Sequence, residues 1–294
     1  MAVVRRRARL DLAHVIHGSG QRPRIEALDS FASDGEDDAL SRLAQARGLK
    51  KFRCVTLLGE SDYRISQLEA PGVPAEERAQ ALRWRLKDVV DFPVEDAALD
   101  VVDIPTEGGR QPLVLAVAAP RAAVGERMAG FHQARLRLEA IDIPEMAVRN
   151  VAALFEETNR GLAFLLLNDE ESLFVITFRG ELCLSRRIDM TALALAPDDA
   201  ERRRQARERL ALELQRTLDN FDRQFGFVSV SRLVVASERD SEGLTADLRE
   251  NLYLPVLAMD LAEVADFTAL PELRQAERQA QGLLAIGAAL RSAA

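Results

Sequence analysis

The pattern of apolar and polar positions opens with short runs that are typical of strands, separated by turn residues. Gly18-Ser19-Gly20 predicts a turn between the first two runs, so the chain is expected to begin with a hairpin. Gly48 ends a short helical pattern, and two more apolar runs follow it. The predicted elements are a strand RLDLAHVIH (9–17), a strand PRIEALDSF (23–31), a helix ALSRLAQARG (39–48), a strand KFRCVTLL (51–58) and a strand DYRISQLEA (62–70).

A helix is predicted to begin at Pro74 and to run to about Val90, because its apolar residues share one face at helical spacing. That face holds Ala79, Leu82, Leu86, Val89 and Val90. Trp84, the single tryptophan, lies nearly opposite and is flanked by Arg83, Arg85 and Lys87. We favour packing of Trp84 against a second element over a role in a partner surface.

Strand and helix patterns continue to the end of the chain, and the order of hairpin, strand and helix in the first half occurs again in the second half. Two strands are predicted around a Gly108-Gly109 turn, followed by a helix from about Arg121 to Leu138 with Val124, Met128 and Phe131 inward and by a helix that begins near Pro144. Two α/β lobes with internal similarity are therefore expected. The remaining predicted elements are strands 99–105, 112–119, 162–168, 173–180, 181–188, 232–237 and 254–260, a long helix with an inward stripe of Leu210, Leu214, Leu218, Phe221 and Phe225, a helix 244–251, and a terminal helix 281–291 in which Gly287 and Ala288 allow close packing.

Composition narrows the functional classes. The 294 residues are 48% hydrophobic and carry a formal net charge of −8, which disfavours nucleic acid as a partner. Cys54 and Cys183 sit in apolar runs without metal-ligand spacing, and we interpret both as buried. With no signal peptide and no apolar run long enough for a membrane helix, a cytoplasmic location is expected. We interpret the arginine cluster 5–9 as a solvated tail rather than a contact with anionic lipid.

Two segments carry a resemblance to a known family. LRWRLKDVVDFPVEDAALDVVDIP (82–105) resembles the PilM group of type IV pilus biogenesis proteins, and most of all its MshI members from the mannose-sensitive haemagglutinin (MSHA) pilus. LALELQRTLDNFDRQF (210–225) is similar to a second motif of that group. The order of RLVVAS, LRENLYLPV and AIGAALR also agrees, so the resemblance covers nearly the whole chain.

The resemblance implies an α/β fold of the actin-like type, related to the cell-division protein FtsA, with two ribonuclease H-like lobes. Residues 1–50 with 139–160 would form lobe 1A, residues 51–138 an inserted subdomain 1C, and residues 161–294 lobe 2A. Subdomain 2B would be reduced or absent, because only about 20 residues separate Ile188 from the long helix and a sheet-and-helix unit needs about 30.

The resemblance also implies a partner. Family members bind the cytoplasmic tail of a single-pass inner-membrane protein, PilN-like, so this chain would be a cytoplasmic scaffold of the pilus assembly machinery. Its own association with the inner membrane would be indirect. The groove between the inserted subdomain and lobe 1A is the expected contact region, with the tail bound by strand addition or as an apolar segment. We place Trp84, Phe92, Pro93 and Val94 near that region.

An actin-like ATPase binds phosphates with two glycine-containing turns, because bare backbone N–H groups must approach the anion. Here the first turn would be Asp11-Leu12-Ala13-His14 and the second Leu167-Asn168-Asp169-Glu170-Glu171-Ser172, both without glycine. The adenosine loop would be Ala236-Ser237-Glu238-Arg239-Asp240, which also has no glycine. We therefore expect a degenerate site with no catalysis, no nucleotide, no cofactor and no metal. Asp11 then becomes an ordinary turn residue, and Asp169 and Glu170 form a solvated turn, with a divalent-cation site as the alternative.

Two other functions stay open at this point. The chain could be an actin-like ATPase that holds nucleotide through side chains. It could also be the cytoplasmic domain of a type II secretion platform protein, which has a similar fold. Such a protein continues into a membrane helix, and the sequence to Ala294 shows none, which disfavours this alternative.

Overall fold

The structure is a computed structural model that describes residues 1–17, 22–33, 38–107 and 109–291. The strands are β1 (Ala2–Arg5), β2 (Arg9–Ile16), β3 (Arg24–Ala32), β4 (Arg53–Leu57), β5 (Arg64–Glu69), β6 (Ala97–Ile104), β7 (Leu113–Pro120), β8 (Arg137–Asp142), β9 (Gly161–Leu167), β10 (Ser172–Phe178), β11 (Glu181–Arg187), β12 (Val230–Ser237) and β13 (Val256–Ala258). The α-helices are α1 (Ala39–Ala46), α2 (Ala75–Leu82), α3 (Arg121–Gln133), α4 (Pro144–Ala152), α5 (Ala200–Gln224), α6 (Ser241–Asn251) and α7 (Ala276–Ala289).

Two five-stranded sheets share one topology. Their orders are β3-β2-β1-β4-β8 and β11-β10-β9-β12-β13, so each sheet has its third, second, first, fourth and fifth strand side by side. In each sheet the fourth strand runs parallel to the first and to the fifth. The strands of the second sheet before β12 pair as antiparallel hairpins. The internal repeat predicted from the sequence is confirmed.

A third sheet of three strands, β5-β7-β6, lies in the sequence between the fourth and fifth strands of the first sheet. Both of its pairings are antiparallel. The inserted subdomain is predicted to span residues 51–138, but β4, within that range, pairs with β1 and β8 and therefore belongs to the first sheet. The cause is the apolar character of β4, whose last four residues are all buried, as a central parallel strand requires.

Contacts between residues divide the chain into two compact units. The first unit comprises residues 1–11 and 30–144, and the second comprises residues 12–29 and 145–294. The three-stranded sheet belongs to the first unit. This division into two units differs from the predicted lobe boundaries, which are 1–50 with 139–160, 51–138 and 161–294. The assignment of residues to lobes 1A, 1C and 2A stays a prediction.

The core of the second unit follows its sequence pattern. β9 and β10 are buried at every residue, and the predicted stripe of α5 is buried throughout. Helix α7 crosses α4 closely: an ideal Cβ on Gly287 would lie 2.0 Å from the carbonyl oxygen of Ala147. The Asn150 side chain donates a hydrogen bond to the Gly287 carbonyl at the same crossing, at 2.9 Å. The predicted close packing at Gly287 is confirmed.

Several local predictions need correction. The helix predicted from Pro74 to Val90 ends at Leu82 and continues as a 3-10 turn, whose first side chain, Arg83, donates to the carbonyls of Val94 and Ala97. The helix predicted to reach residue 138 ends at Gln133, since Arg135 has a left-handed φ of 55° before β8 begins. Met128, predicted to point inward, is 56% exposed.

The sequence analysis did not predict strand β1. Because the arginine cluster 5–9 lies between β1 and β2, its prediction as a terminal tail is wrong. Arg5 ends β1 and Arg9 begins β2. The turn predicted at Gly18-Ser19-Gly20 lies outside the described residues, as does Gly108. Across the described ranges no helix is both long and apolar enough to span a bilayer.

Candidate functional site

The first unit contains a groove of about 580 Å³, within the roughly 300–1,000 Å³ of ligand-binding clefts. One wall is α3, and the others come from the first sheet, from α1 and from the turn after β4. Val3, Leu10 and Phe131 are buried and give the groove an apolar floor. The other lining residues are Arg5, Leu40, Thr56, Asp62, Ala123, Glu126, Arg127, Ala129, Gly130 and Gln133.

An ion pair fixes the rim of this groove. Asp62 accepts a hydrogen bond from the Gly59 backbone N–H at 2.9 Å and one from the Arg127 guanidinium at 3.0 Å. The pair is partly buried and ties the turn after β4 to α3. An apolar floor with a charged, partly neutralised rim suits a peptide that has apolar side chains and polar flanks.

The wall formed by α3 is lined by small residues. Ala123, Ala129 and Gly130 all face the groove, and an ideal Cβ on Gly130 would meet no atom within 4 Å. This face was not predicted, because α3 has no clear apolar stripe, and of the three residues predicted to point inward, Val124, Met128 and Phe131, only Phe131 lines the groove. The clustering of alanine and glycine in RAAVGERMAG (121–130) was the available signal.

None of the four predicted partner-binding residues lines the groove. Val94 is buried and Phe92 is half-buried in the core between α2 and the three-stranded sheet, which also contains Leu82 and Leu86. Pro93 is exposed. Trp84 is 61% exposed on the 3-10 turn after α2, so the predicted core packing of Trp84 is wrong. Its position leaves Trp84 available as a surface contact in its own right.

The first predicted phosphate turn is displaced. Asp11 and Ala13 lie within strand β2, whereas the turn between β1 and β2 is formed by Arg6, Arg7 and Ala8. The Asp11 carboxylate is not at a turn: it accepts hydrogen bonds from Ser30 and, at 3.2 Å, from Arg9. Ala13 is fully buried. The error arises because β1 was not predicted, so the first hairpin was expected to consist of β2 and β3 instead of β1 and β2.

The second predicted phosphate turn, residues 168–171, joins β9 to β10, as expected. Its backbone N–H groups already have acceptors within the protein. The Asn168 side-chain oxygen accepts from the N–H groups of Glu170 and Glu171 at 3.0 and 2.8 Å. Glu238 accepts from the N–H of Asp169 at 3.2 Å. The N–H groups that would bind a phosphate in an actin-like ATPase are therefore occupied by side chains of this chain.

The acids of this turn are paired rather than merely solvated, which corrects the sequence interpretation. Asp169 forms a two-pronged ion pair with Arg239, with N–O distances of 2.7 and 2.5 Å. A carboxylate oxygen of Glu171 lies 3.6 Å from Arg187, which also contacts the buried Glu145 at 3.0 Å. Among the described residues, no group of three His, Cys, Asp or Glu side chains is suited to hold a metal ion.

The predicted adenosine loop, residues 236–240, is braced by side chains. Ser237 is buried, and its hydroxyl donates to the carbonyl of Arg239 at 2.7 Å. Asp240 adopts a left-handed φ of 43° and caps α6 by accepting from the Gly243 N–H. The buried Arg207 holds Asp240 and Asp247 at 2.5 and 2.7 Å and donates to the Leu195 carbonyl. The loop thus presents side chains and ion pairs where an adenosine loop presents glycine backbone.

Comparisons with known proteins identify the fold. No protein-family model matches the chain, and no curated protein matches it in sequence. A chain of a solved PilM–PilN type IV pilus biogenesis complex superposes with a TM-score of 0.74 at 21% identity, covering 97% of both chains. The cytoplasmic domain of EpsL, an inner-membrane component of the Vibrio cholerae type II secretion system, gives a TM-score of 0.50 at 15% identity, covering 98% of this chain and 93% of EpsL.

A Bacteroides thetaiotaomicron protein with an actin-like ATPase fold and unknown function gives a TM-score of 0.53 at 9% identity, covering 92% and 94% of the two chains. Together with the two matching sheets, these similarities show that the chain has the actin-like α/β fold.

Proposed function

We propose that this chain is a non-catalytic scaffold of a type IV pilus assembly machine, peripheral to the cytoplasmic face of the inner membrane. The observation that carries the proposal is the similarity to a chain of the PilM–PilN complex, with a TM-score of 0.74 over 97% of both chains, against a TM-score of 0.50 for EpsL. The resemblance of segment 82–105 to MshI supports the narrower proposal that the pilus is of the MSHA type.

The partner in this proposal is the cytoplasmic tail of a PilN-like inner-membrane protein, and its binding site is the groove along α3. The apolar floor at Val3, Leu10 and Phe131 would take apolar side chains of the tail. The Asp62–Arg127 pair and Glu126 would contact polar groups at its ends. Trp84 would be a second contact of the assembly machinery, separate from the groove lining.

The absence of catalysis in this proposal is supported by the turn at residues 168–171. A nucleotide would have to displace Asn168 and Glu238 from three backbone N–H groups before a phosphate could reach them. It would also have to fit beside the ion pair of Asp169 with Arg239, which ties this turn to the loop 236–240. These costs favour the scaffold over an actin-like ATPase.

Helix α3 offers a matched pair of variants for the test. Gly130 lines the groove and Gly125 does not, yet an ideal Cβ on either glycine meets no atom within 4 Å. Both Gly130→Leu and Gly125→Leu should fold, and both replace a glycine inside the same helix, a gain in helix propensity of up to about 1 kcal/mol. Only Gly130→Leu places a side chain in the groove.

The measurement is a calorimetric titration of the full chain with a synthetic peptide of the cytoplasmic tail of the PilN-like protein from the same genome. The wild type and Gly125→Leu should bind equally, and Gly130→Leu should bind about 5- to 150-fold more weakly, since overpacking costs about 1–3 kcal/mol. Emission of Trp84 during the titration reports whether its segment takes part. No binding by the wild type, or equal binding by all three proteins, would refute the groove as the site.

A further inference from the structure

One edge of the first sheet carries a concentration of positive charge that the proposed function does not use. The connection from α1 to β4 spans residues 47–53 and contains Arg47, Lys50, Lys51 and Arg53. The connection from α3 to β8 contains Arg135, and Arg137 begins the strand. These six residues, here named the basic edge, are all exposed.

Topology brings the two connections together. Strands β4 and β8 are parallel neighbours, so both strands begin at the same edge of the sheet. Their register pairs Arg53 directly with Arg137. Residues 47–53 and 132–137 contain no acid. The nearest acid along β8, Glu139, pairs with Arg53 at 2.9 Å in an exposed ion pair.

The fold does not require this charge. In the second sheet the corresponding connections are residues 225–229, from α5 to β12, and residues 252–255, from α6 to β13. Neither contains a charged residue. The chain as a whole has a net charge of −8. The six cations lie in two segments that contain no acid, so these segments differ from the acidic composition of the chain. Helix dipoles favour cations at helix C-termini, but α5 and α6 meet that preference with Arg223 and Arg249 inside their last turns.

Half-buried aromatic rings lie beneath two of the cations. The Arg47 guanidinium carbon is 5.0 Å from the centroid of the Phe31 ring, and the Lys51 ammonium is 5.1 Å from that of Phe52. Aromatic rings beside several Lys and Arg side chains are typical of surfaces that contact lipid headgroups. Clusters of four to eight such cations are the pattern that anionic membranes attract.

We propose that the basic edge binds anionic phospholipid headgroups directly, in addition to any contact through a membrane protein. The choice of a membrane over another polyanion rests on the proposed function, which puts the chain at the inner membrane. The excess of acids elsewhere in the chain opposes adsorption through other surfaces, so the basic edge sets which surface meets the headgroups.

The test is sedimentation of the full chain with vesicles of phosphatidylglycerol and phosphatidylcholine, compared with vesicles of phosphatidylcholine alone. Lys50→Gln combined with Lys51→Gln removes two cations from the basic edge. Arg202→Gln combined with Arg209→Gln, at exposed positions of α5, removes two cations elsewhere and is the matched control. The wild type and the control should prefer the anionic vesicles, and that preference should weaken as salt rises.

Each cation near an anionic surface contributes about a fivefold increase in the partition coefficient, so Lys50→Gln with Lys51→Gln should lower it by about 30-fold. No preference of the wild type for anionic vesicles, or an equal loss in both double variants, would overturn the proposal. Binding of a labelled DNA duplex that depends on Lys50 and Lys51, without vesicle binding, would assign the edge to nucleic acid instead. Vesicle binding is measured without the tail peptide and groove binding without vesicles, so the two proposals fail independently.

Discussion

At the residue scale, the glycines of this chain differ sharply in what their surroundings allow. Gly287 on α7 faces the backbone of α4, and an added Cβ would lie 2.0 Å from the Ala147 oxygen and 2.6 Å from its carbonyl carbon. Backbone cannot move aside as a flexible side chain can. Gly125 on α3 has open space in the same direction. The two positions therefore separate a packing requirement from helix propensity.

We predict that Gly287→Ala destabilises the protein by about 2 kcal/mol or more, because the added methyl group must push α7 away from α4. Gly125→Ala should instead stabilise it by about 0.5–1 kcal/mol through helix propensity. Urea unfolding followed by circular dichroism measures both. A Gly287→Ala variant as stable as Gly125→Ala would show that α4 and α7 are not in close contact.

At the element scale, the loop 236–240 is held by two arginines in different environments. Arg207 is buried and satisfies two carboxylates and the Leu195 carbonyl. Arg239 is partly exposed and forms an ion pair with Asp169 near the surface. Since water screens exposed ion pairs, the two arginines should differ in their contribution to stability although both contact the same part of the fold.

We expect Arg207→Ala to lower the free energy of unfolding by about 2–3 kcal/mol, because it leaves a buried carbonyl without its donor and removes charged hydrogen bonds. Arg239→Ala should cost less than about 1 kcal/mol. Thermal unfolding of both variants beside the wild type measures the difference. Equal losses would mean that the loop is not braced from α5.

Sequence patterns predicted most elements of this fold, and the errors have physical causes. The apolar stripe of α5 and the apolar runs of β9 and β10 were predicted correctly, because each is buried along its length and therefore largely apolar. Strand β1 has only four residues and ends at the first of three consecutive arginines, so the local sequence pattern did not indicate a strand. Because β1 was not predicted, the first phosphate turn was expected at residues 11–14, whereas the turn between β1 and β2 is formed by residues 6–8.

The candidate site was harder to predict than the fold. The groove is built by residues far apart in sequence, such as Val3, Thr56 and Gly130, and no local spacing shows that they meet. Trp84 was expected in the core because a large aromatic ring usually is buried, yet the 3-10 turn after Leu82 directs it outward. The loss of glycine from the second phosphate turn was visible in sequence, but the hydrogen bonds that fill its N–H groups were not.

At the scale of the whole molecule, the two units carry different features, although the two five-stranded sheets share one strand order. The first unit has an inserted three-stranded sheet, a groove along α3 and a basic edge. The second has a phosphate turn closed by its own side chains and uncharged connections where the first is basic. Under the proposed function, the first unit binds the partner and the second unit binds no nucleotide.

For nucleotide, the prediction is that a titration of the full chain with Mg·ATP gives no saturable heat up to about 1 mM, where a binding free energy of about −4 kcal/mol would already be detected. The reason is that Asn168 and Glu238 occupy the N–H groups of the turn. Saturable binding, or ATP hydrolysis that Asp169→Ala abolishes, would restore the ATPase alternative.

The most direct test of the account is a crystal structure of the full chain grown with both the PilN-like tail peptide and Mg·ATP. The account predicts peptide density along α3, against Val3, Leu10 and Gly130, and an unchanged hydrogen-bonded turn at residues 168–171. Nucleotide phosphates bound at that turn, or a tail peptide bound elsewhere with the groove empty, would contradict it.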